Sequence, residues 1–454
     1  MLYSTLGAQW VYASRITYSF VPDGANIGGY SSSLYATLNA KYPTATWQLQ
    51  FQKAAAVWQA VAGINLCQVG DDGSTLGAYG NQQGDSRFGD IRISAVPQSS
   101  GTLAICLTPP PVNGGSEAGD LIFNSTSNWG INTNYDLETV AIHEFGHALG
   151  LDHSAITTAC MYAYFNGFKQ SLTTDDINGI QSIWGSGKTD IFNSNGQSNG
   201  VYTSAPNISG YLNSTTAQAA IPNLSITKTG QSEWFAVTVP ANTTGTFVTT
   251  VQSTNLSIFS PKLQVLSTSM ALLGSATSSD YGATVSVSLS GVRAGTTYYV
   301  RVSGNTAGNP FGGYGLLVNF GSQAQSPIAP PNTTVAWAAS QGGGSESEGH
   351  DLVSIGNFTS YGDALEVSTA GVRMRAVTHP AAVPSAIAGQ TAVSTSAIDP
   401  GFWTAHAVAK VGRTDRASTP SLPIVHSAGR RVSHAFDAAI AAWKGRGLID
   451  WADA

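Results

Sequence analysis

The chain has 454 residues, of which 42% are hydrophobic and only 10% are charged, and its formal net charge at pH 7 is -6. This length predicts two or three domains, and so mild a charge excludes recruitment by nucleic acid or by an anionic membrane surface. Few charges together with 50 glycines are typical of β-rich exported proteins. We therefore expect an extracellular or cell-surface protein.

The sequence shows no segment that would span a membrane or direct export. No apolar run approaches the ~20 residues that a spanning helix needs. Residues 1–4 lack the basic and apolar stretches of a signal peptide. Two explanations stay open: the sequence begins after its leader, or export uses another route. The oligomeric state is not indicated.

The first predicted domain, residues 1–190, mixes helix and strand patterns. Residues 46–62 carry apolar side chains at helical spacing, and Gly63 follows as a stop. Two further helices begin near residues 136 and 173. Short apolar runs predict strands at residues 15–20, 64–69, 90–95, 103–107 and 120–124. Strands first and helices later indicate an α+β domain.

The composition then changes to that of a linker followed by an all-β region. Residues 191–200 are rich in Gly, Ser and Asn, which is typical of linkers. In residues 201–321, strand-like runs alternate with Gly and Asn turns at the spacing of a β-sandwich. These runs are residues 234–239, 245–251, 283–289 and 298–302.

The last segment, residues 322–454, is a low-complexity tail rich in Ala, Ser, Thr and Pro. Such a composition buries too little apolar surface to fold, so we predict that it is largely disordered. Near its end, Val432, Phe436, Ile440 and Trp443 share one helical face. A helix that docks on the protein is favoured there over a helix on a membrane surface.

One eleven-residue segment carries the chemistry. His143 and His147 are one helical turn apart, so both imidazoles project from the same face. Glu144 lies roughly 100° round the helix from His143, where it can reach a metal-bound water without being a ligand. Gly150 lets the chain leave the helix and double back, and His153 can then supply a third ligand. Three neutral imidazoles leave the fourth position of zinc to water, as in catalytic sites.

The alternative is a helix that buries three histidines by chance. Residues 1–349 contain no histidine other than these three, so the spacing is not part of a scattered distribution. Five specified residues at fixed positions form a strong signal for a metal site.

Residues 143–153 resemble the metzincin signature, and Ser154 directly after the third histidine resembles the matrixin branch of matrix metalloproteinases and their bacterial relatives. Met161 is similar to the methionine that forms an apolar floor under the metal in this family. Further similarity to matrixin strands and to their closing helix lies at residues 16–20, 89–94 and 175–181.

This resemblance implies a fold for the two ordered regions. The first would be a metzincin catalytic domain of the bacterial type, with a mixed five-stranded sheet and three helices. The second resembles bacterial pre-peptidase C-terminal β-sandwich domains at residues 233–235 and 294–302.

The resemblance also implies a zinc metalloendopeptidase that acts on protein or peptide substrates. His143, His147 and His153 would bind the zinc, which lowers the pKa of a bound water toward about 7. Glu144 would be the general base. Substrates would lie antiparallel to an edge strand over residues 101–107. Ala163, Tyr164 and Phe165 stand where the family has Pro-x-Tyr, so a side-chain preference does not carry over.

We expect one zinc rather than the two of animal matrixins. The family binds a second, structural zinc through histidines on two strands, and here those positions are Ile105 and Ile122. Isoleucine cannot coordinate zinc, and two that face each other would bury apolar surface instead. Acidic residues that help bind calcium after the fifth strand are replaced by Asn124 and Ser127, so a calcium site is not favoured.

The three cysteines, Cys67, Cys106 and Cys160, are too few for a disulfide framework in a chain of this size. Buried free thiols are favoured, since Cys67 and Cys106 lie in apolar runs. None stands in a sequence similar to Pro-Arg-Cys-Gly, the segment through which matrixin zymogens hold a cysteine on the zinc. We therefore expect activity without prior processing, unless another segment such as the tail blocks the cleft.

Two other functions compete with hydrolysis. A non-catalytic binding or adhesion protein could keep a metzincin shell, but Glu144 and all three metal ligands are present. Alternatively, the β-sandwich could be the working part and bind carbohydrate or cell wall. Its aromatic residues Trp234 and Tyr298 are more typical of a core than of a ligand platform.

Overall fold

The computed structural model describes residues 2–194, 196–228 and 230–336 and, further along the chain, the backbone of three short strands. The predicted terminal helix with Val432, Phe436, Ile440 and Trp443 lies outside the described residues, as does most of the predicted tail. Within the described ranges, no helix has the length and apolar character that crossing a bilayer requires.

The first region folds from helices and strands in mixed order. Its elements are β1 (Ile16–Phe20), β2 (Asn26–Ile27), β3 (Tyr30–Ser31), α1 (Leu34–Asn39), α2 (Thr44–Gln59), β4 (Leu66–Gln68), β5 (Ile91–Val96), β6 (Thr102–Leu107), β7 (Leu121–Asn124), α3 (Leu137–Ala148), β8 (Tyr164–Phe165) and α4 (Thr174–Trp184). The prediction of three helices omitted α1, because its six residues are too few for a helical period to emerge.

The central sheet has the strand order β4-β1-β5-β7-β6. β1 pairs in parallel with β4 and β5, and β5 pairs in parallel with β7. β6 runs antiparallel to β7, which confirms the predicted mixed five-stranded sheet of an α+β domain. β1, β5 and β7 are buried at every residue, as is typical of strands that are covered on both faces.

Helices α2 and α3 share one apolar core with this sheet. From α2, Trp47, Phe51 and Trp58 are all fully buried. The indole nitrogen of Trp58 donates a hydrogen bond to the carbonyl of Ile142 on α3, at 2.9 Å. α3 is buried at every residue. Side chains on a helix surrounded by protein are therefore positioned by packing on all sides.

The second region contains strands only, apart from two short 3-10 turns. Its strands are β9 (Gln218–Ile226), β10 (Ser232–Thr238), β11 (Thr246–Gln252), β12 (Pro261–Leu266), β13 (Leu272–Thr277), β14 (Thr284–Ser290), β15 (Thr297–Gly304) and β16 (Gly312–Asn319). They form two antiparallel sheets, in the orders β10-β15-β12-β13 and β14-β11-β16-β9. One apolar cluster takes Phe235 and Val300 from the first sheet, Phe247 and Leu316 from the second. The assignment of residues 201–321 as a pre-peptidase C-terminal domain stays a prediction.

The segment predicted as a linker, residues 191–200, lies against the second region. Phe192 packs on its apolar cluster, and the Asn193 amide donates to Oε1 of Glu233 at 2.7 Å. The backbone N–H of Trp234 donates to the carbonyl of Asn199 at 2.8 Å. These contacts give the end of the first region a defined path into the sheets of the second.

The two regions also contact each other directly. The Gln59 amide, at the end of α2, donates to the carbonyl of Phe311 at 2.9 Å, and its oxygen accepts from the N–H of Leu66 at 2.7 Å. Oδ1 of Asn65 accepts from the N–H of Gly313 at 2.9 Å. Ile258 of the second region is part of the apolar core of the first. The regions therefore share a packed interface.

Three strands lie in the part of the chain predicted as a disordered tail. β17 (Ala364–Glu366) pairs antiparallel with β18 (Arg375–Val377). β19 (Leu448–Asp453) joins the central sheet and extends it to the order β4-β1-β5-β7-β6-β19-β8. The prediction of a largely disordered tail did not include these strands, and for the rest of residues 322–454 it stays a prediction. The pairing of β19 with β6 leaves no local signal, because its partner is far away in the sequence.

Candidate metal centre

The local structure of α3 determines where the histidines lie. Asp136 is the N-cap, since its carboxylate accepts a hydrogen bond from the N–H of Thr139 at 3.0 Å. The helix ends at Ala148, and Gly150 follows with a φ of +102°. A Cβ at Gly150 would lie 2.3 Å from the carbonyl oxygen of Ala8, so only glycine fits this turn. The chain then doubles back and brings His153 to the helix.

His143, His147 and His153 come together as the sequence predicts. One ligand atom from each lies within 4.8 Å of the others. The ring centroids of His143 and His147 are 4.6 Å apart, and those of His147 and His153 are 4.8 Å apart. His143 and His147 are fully buried, whereas His153 is half-buried. The group therefore has one side nearer to solvent, where a substrate can approach.

Hydrogen bonds orient two of the imidazoles. Nδ1 of His143 lies 2.7 Å from the carbonyl oxygen of Cys160, and Nδ1 of His147 lies 2.8 Å from that of Leu151. Since a carbonyl only accepts, each Nδ1 carries the proton and each Nε2 keeps a lone pair. The two Nε2 atoms are 2.9 Å apart, so both are close enough to bind the same ion. This arrangement is typical of histidines that share a metal ion.

Burial also keeps these histidines in the form that binds metal. Burial and the nearby His147 and His153 hold the pKa of His143 well below its usual value of 6.5. Burial, with a smaller contribution from His153, lowers the pKa of His147 to about 3. Both imidazoles are therefore neutral at pH 7, as zinc ligands must be. The cluster fits a zinc site.

Met161, the residue of the Met-turn resemblance, lies against Gly146, which stands between the two histidines of α3. It is buried, and a Cβ placed on Gly146 of α3 would lie 2.2 Å from its sulfur atom. Its backbone N–H donates to Oδ1 of Asp176 at 3.1 Å. The N–H of Cys160 donates to Oδ2 of the same carboxylate at 3.0 Å. The start of α4 therefore holds both the methionine and the carbonyl that orients His143.

Asp175 and Asp176 are positioning residues that the sequence analysis did not assign. Asp176 forms a capping box with Thr173, and Asp175 accepts from the hydroxyl of Ser154 at 2.8 Å. The signal in the sequence is Thr173 followed three residues later by an acidic residue, which is typical of a helix start. Asp176 also accepts hydrogen bonds from the backbone N–H groups of Cys160 and Met161, and these tertiary contacts leave no signal in the sequence.

Glu144 is fully buried on α3, next to His143. Burial raises the pKa of the Cys106 thiol on β6 well above its usual value, and the charges of Glu144 and Asp120 raise it further. α3 packs against β6, so Glu144 lies on the helix that adjoins the strand predicted to receive substrates.

The positions of the second zinc are filled by apolar side chains. Ile105 on β6 stands opposite Ile122 on β7, and both belong to a small buried cluster with Val21, Ala25, Ile27 and Val96. Asn124 hydrogen-bonds the backbone, accepting from the N–H of Gln98 at 3.1 Å. Among the residues that the structure describes, one group of three or more His, Cys, Asp or Glu side chains has its ligand atoms close enough together to hold a metal ion. This group is the three histidines.

A mixed sheet, a buried helix with two histidines one turn apart, and a third histidine after a glycine turn define a metzincin-like metal site. Residues 32–185 match the family described as Matrixin. The first region of the chain is therefore matrixin-like, and its helix α3 carries two of the three histidines that fit a zinc site.

Individual relatives support the same class. Karilysin from Tannerella forsythia is 44% identical over 88 residues, which are 19% of this chain and 18% of karilysin. The hatching enzyme of Paracentrotus lividus is 34% identical over 146 residues, 30% of this chain and 22% of the relative. Interstitial collagenase from Equus caballus is 36% identical over 152 residues, 33% of this chain and 30% of the relative. The chain thus spans between 18% and 30% of the length of these relatives. These similarities support an enzyme, a zinc metalloendopeptidase.

Proposed function

We propose that the protein is an extracellular or cell-surface zinc metalloendopeptidase that hydrolyses peptide bonds within protein substrates. The observation that carries the proposal is the cluster of His143, His147 and His153, with ligand atoms within 4.8 Å of one another and two Nε2 atoms 2.9 Å apart. These three residues would hold the zinc. Bound there, zinc supplies a water of lowered pKa and polarises the carbonyl to be attacked.

Glu144 moves the proton in this proposal. It follows His143 on α3, the helix that packs against β6. As the general base it takes the proton of the attacking water and passes it to the leaving amine. His147 and His143 stay neutral, because burial keeps their pKa values below 6.5.

The substrate lies as an extended strand along β6. Among the five strands β4-β1-β5-β7-β6 this strand is the outermost, and its outer backbone groups are the ones that an added strand would pair with. β19 pairs antiparallel with β6, so the edge is able to accept a strand in that direction. β8, which follows Met161, lies on the opposite side of the groove.

The aromatic residues of the second region do not favour a ligand platform. Trp234 is buried beneath the guanidinium of Arg301, whose Cζ lies 5.2 Å from the ring centroid. Tyr298 packs against Phe247 in the apolar cluster. We therefore assign the second region a supporting role, as a β-sandwich similar to pre-peptidase C-terminal domains.

The function is tested with Glu144→Gln in the full chain, measured by peptide-library cleavage and by zinc content. Hydrolysis should fall by at least about a hundredfold, the lower range of general-base contributions, while zinc content stays the same. The matched control is Glu138→Gln, which changes another buried glutamate of α3, paired with Lys53 at 3.4 Å. The control should keep its activity. Substantial hydrolysis by Glu144→Gln with zinc bound would show that Glu144 is not the base.

A further inference from the structure

The last described strand of the chain, β19, lies between β6 and β8. Leu448 stands opposite Leu107, Ile449 opposite Cys106 and Asp450 opposite Ile105, in an antiparallel register along β6. On its other side, β19 pairs in parallel with β8. The segment therefore fills the space between these two strands with its own backbone.

This space lies next to the helix that carries two of the histidines. α3 packs against β6, and Ile449 is paired with Cys106 on that strand. β8 begins three residues after Met161, whose sulfur lies against Gly146 of α3. A strand between β6 and β8 thus lies between the strand that packs against α3 and the strand that follows Met161.

The same groove is the one proposed for substrates. Without β19, β6 would be the edge of the sheet. Each backbone N–H and carbonyl of an edge strand serves one added strand at a time. β19 also runs antiparallel to β6, the direction proposed for substrates. β19 and an extended substrate therefore exclude each other.

We propose that residues 448–453 are an intramolecular occupant of the substrate groove that lowers hydrolysis until the segment is displaced or removed. This inference rests on the proposed peptidase function. It opposes the expectation, drawn from the cysteines alone, that the chain is fully active as made. Here latency comes from backbone pairing and needs no thiol on the metal.

The expected reduction of hydrolysis follows from the covalent link between residues 448–453 and the rest of the chain. A segment that binds with a Kd on the order of 0.1 mM, at an effective concentration on the order of 1 mM, leaves about one groove in ten open. Hydrolysis of a peptide substrate by the full chain should thus be reduced about tenfold and not abolished. The reduction should not depend on protein concentration, because the occupant belongs to the same chain.

The test is a pair of double variants in the full chain. Asp450→Pro with Trp451→Pro removes two consecutive backbone N–H groups, which point to opposite edges of a strand, so pairing is lost on both sides. Asp450→Ala with Trp451→Ala removes the same side chains and keeps both N–H groups. Three quantities are measured: kcat/KM on a peptide substrate, zinc content, and hydrogen exchange of residues 102–107.

The proline variant should show a kcat/KM about tenfold above wild type, unchanged zinc, and faster exchange of residues 102–107. The alanine variant should stay closer to wild type in both activity and exchange. A synthetic peptide of residues 447–454, added to the proline variant, should inhibit it competitively, and a scrambled peptide should not.

The outcomes separate the two proposals. Equal kcat/KM in wild type and the proline variant, with hydrolysis present in both, would overturn the occupant. Unchanged hydrogen exchange of residues 102–107 in the proline variant would also overturn the proposal, because it would show that β19 does not protect β6. If no variant hydrolyses any peptide while exchange does increase and zinc is bound, the peptidase function fails and the strand pairing stands.

Discussion

The close packing of Met161 and Trp58 against α3 depends on Gly146. It lies on α3 between His143 and His147. A Cβ there would meet the sulfur of Met161 at 2.2 Å and the ring of Trp58 at 2.9 Å. Such contacts are shorter than atoms tolerate, so one of the neighbours has to move. Met161 is the more flexible of the two.

Gly146→Ala should therefore lower the free energy of unfolding by about 1–3 kcal/mol, the usual cost of overpacking. It should also weaken zinc binding, because the displaced Met161 disturbs the turn whose Cys160 carbonyl orients His143. Urea unfolding and competitive zinc titration measure the two effects. The double variant Gly146→Ala with Met161→Ala removes the clashing sulfur and should lose less stability than the two single changes added together. Full additivity would mean that the methionine is not what the new methyl group meets.

At the scale of elements, the pairing of β6 with β7 supports the prediction of one zinc. Their register places Ile105 opposite Ile122, in a cluster made of apolar side chains. Neither strand offers a ligand atom at that point.

Metal analysis of the purified chain should give about one zinc per molecule, bound at the three histidines. His153→Ala should remove it, because two imidazoles hold zinc much more weakly than three. The control is an alanine at His350, which lies outside the cluster in sequence and should leave the zinc content unchanged. A second tightly held zinc that survives His153→Ala would contradict the assignment of one site.

The helices and strands also show how much of the structure can be predicted from the sequence. The histidine spacing on α3 and the glycine at position 150 are local features, and the sequence alone predicts the site from them. The strands of the central sheet follow from short apolar runs that the core buries. β19 could not be predicted, since its partner on β6 is more than three hundred residues away. The roles of Asp175 and Asp176 were missed for the same reason: their partners Ser154, Cys160 and Met161 belong to another turn.

At the scale of the whole molecule, the interface between the two regions makes them stabilise each other. Gln59 bridges them: its amide donates to the carbonyl of Phe311, and its oxygen accepts from the N–H of Leu66. Both partners are backbone groups, and one residue joins them across the interface.

Gln59→Ala should lower the free energy of unfolding by about 1–3 kcal/mol, because two backbone groups lose their partner where water is scarce. The expected effect in calorimetry is a lower midpoint for the entire unfolding transition. Gln48→Ala is the matched control on the same helix, since its amide reaches only the hydroxyl of Tyr35 at 3.4 Å. Two separate transitions, with only one of them shifted, would show that the regions unfold independently.

The apolar pair of Ile105 and Ile122 also bears on how the protein would survive a shortage of metal. Since that part of the sheet is held by packed apolar side chains, a chelator that removes zinc from the histidines leaves this packing in place. Loss of zinc would then abolish hydrolysis and leave this part of the sheet folded. Zinc-free protein would keep this packing and regain its activity when zinc is added back.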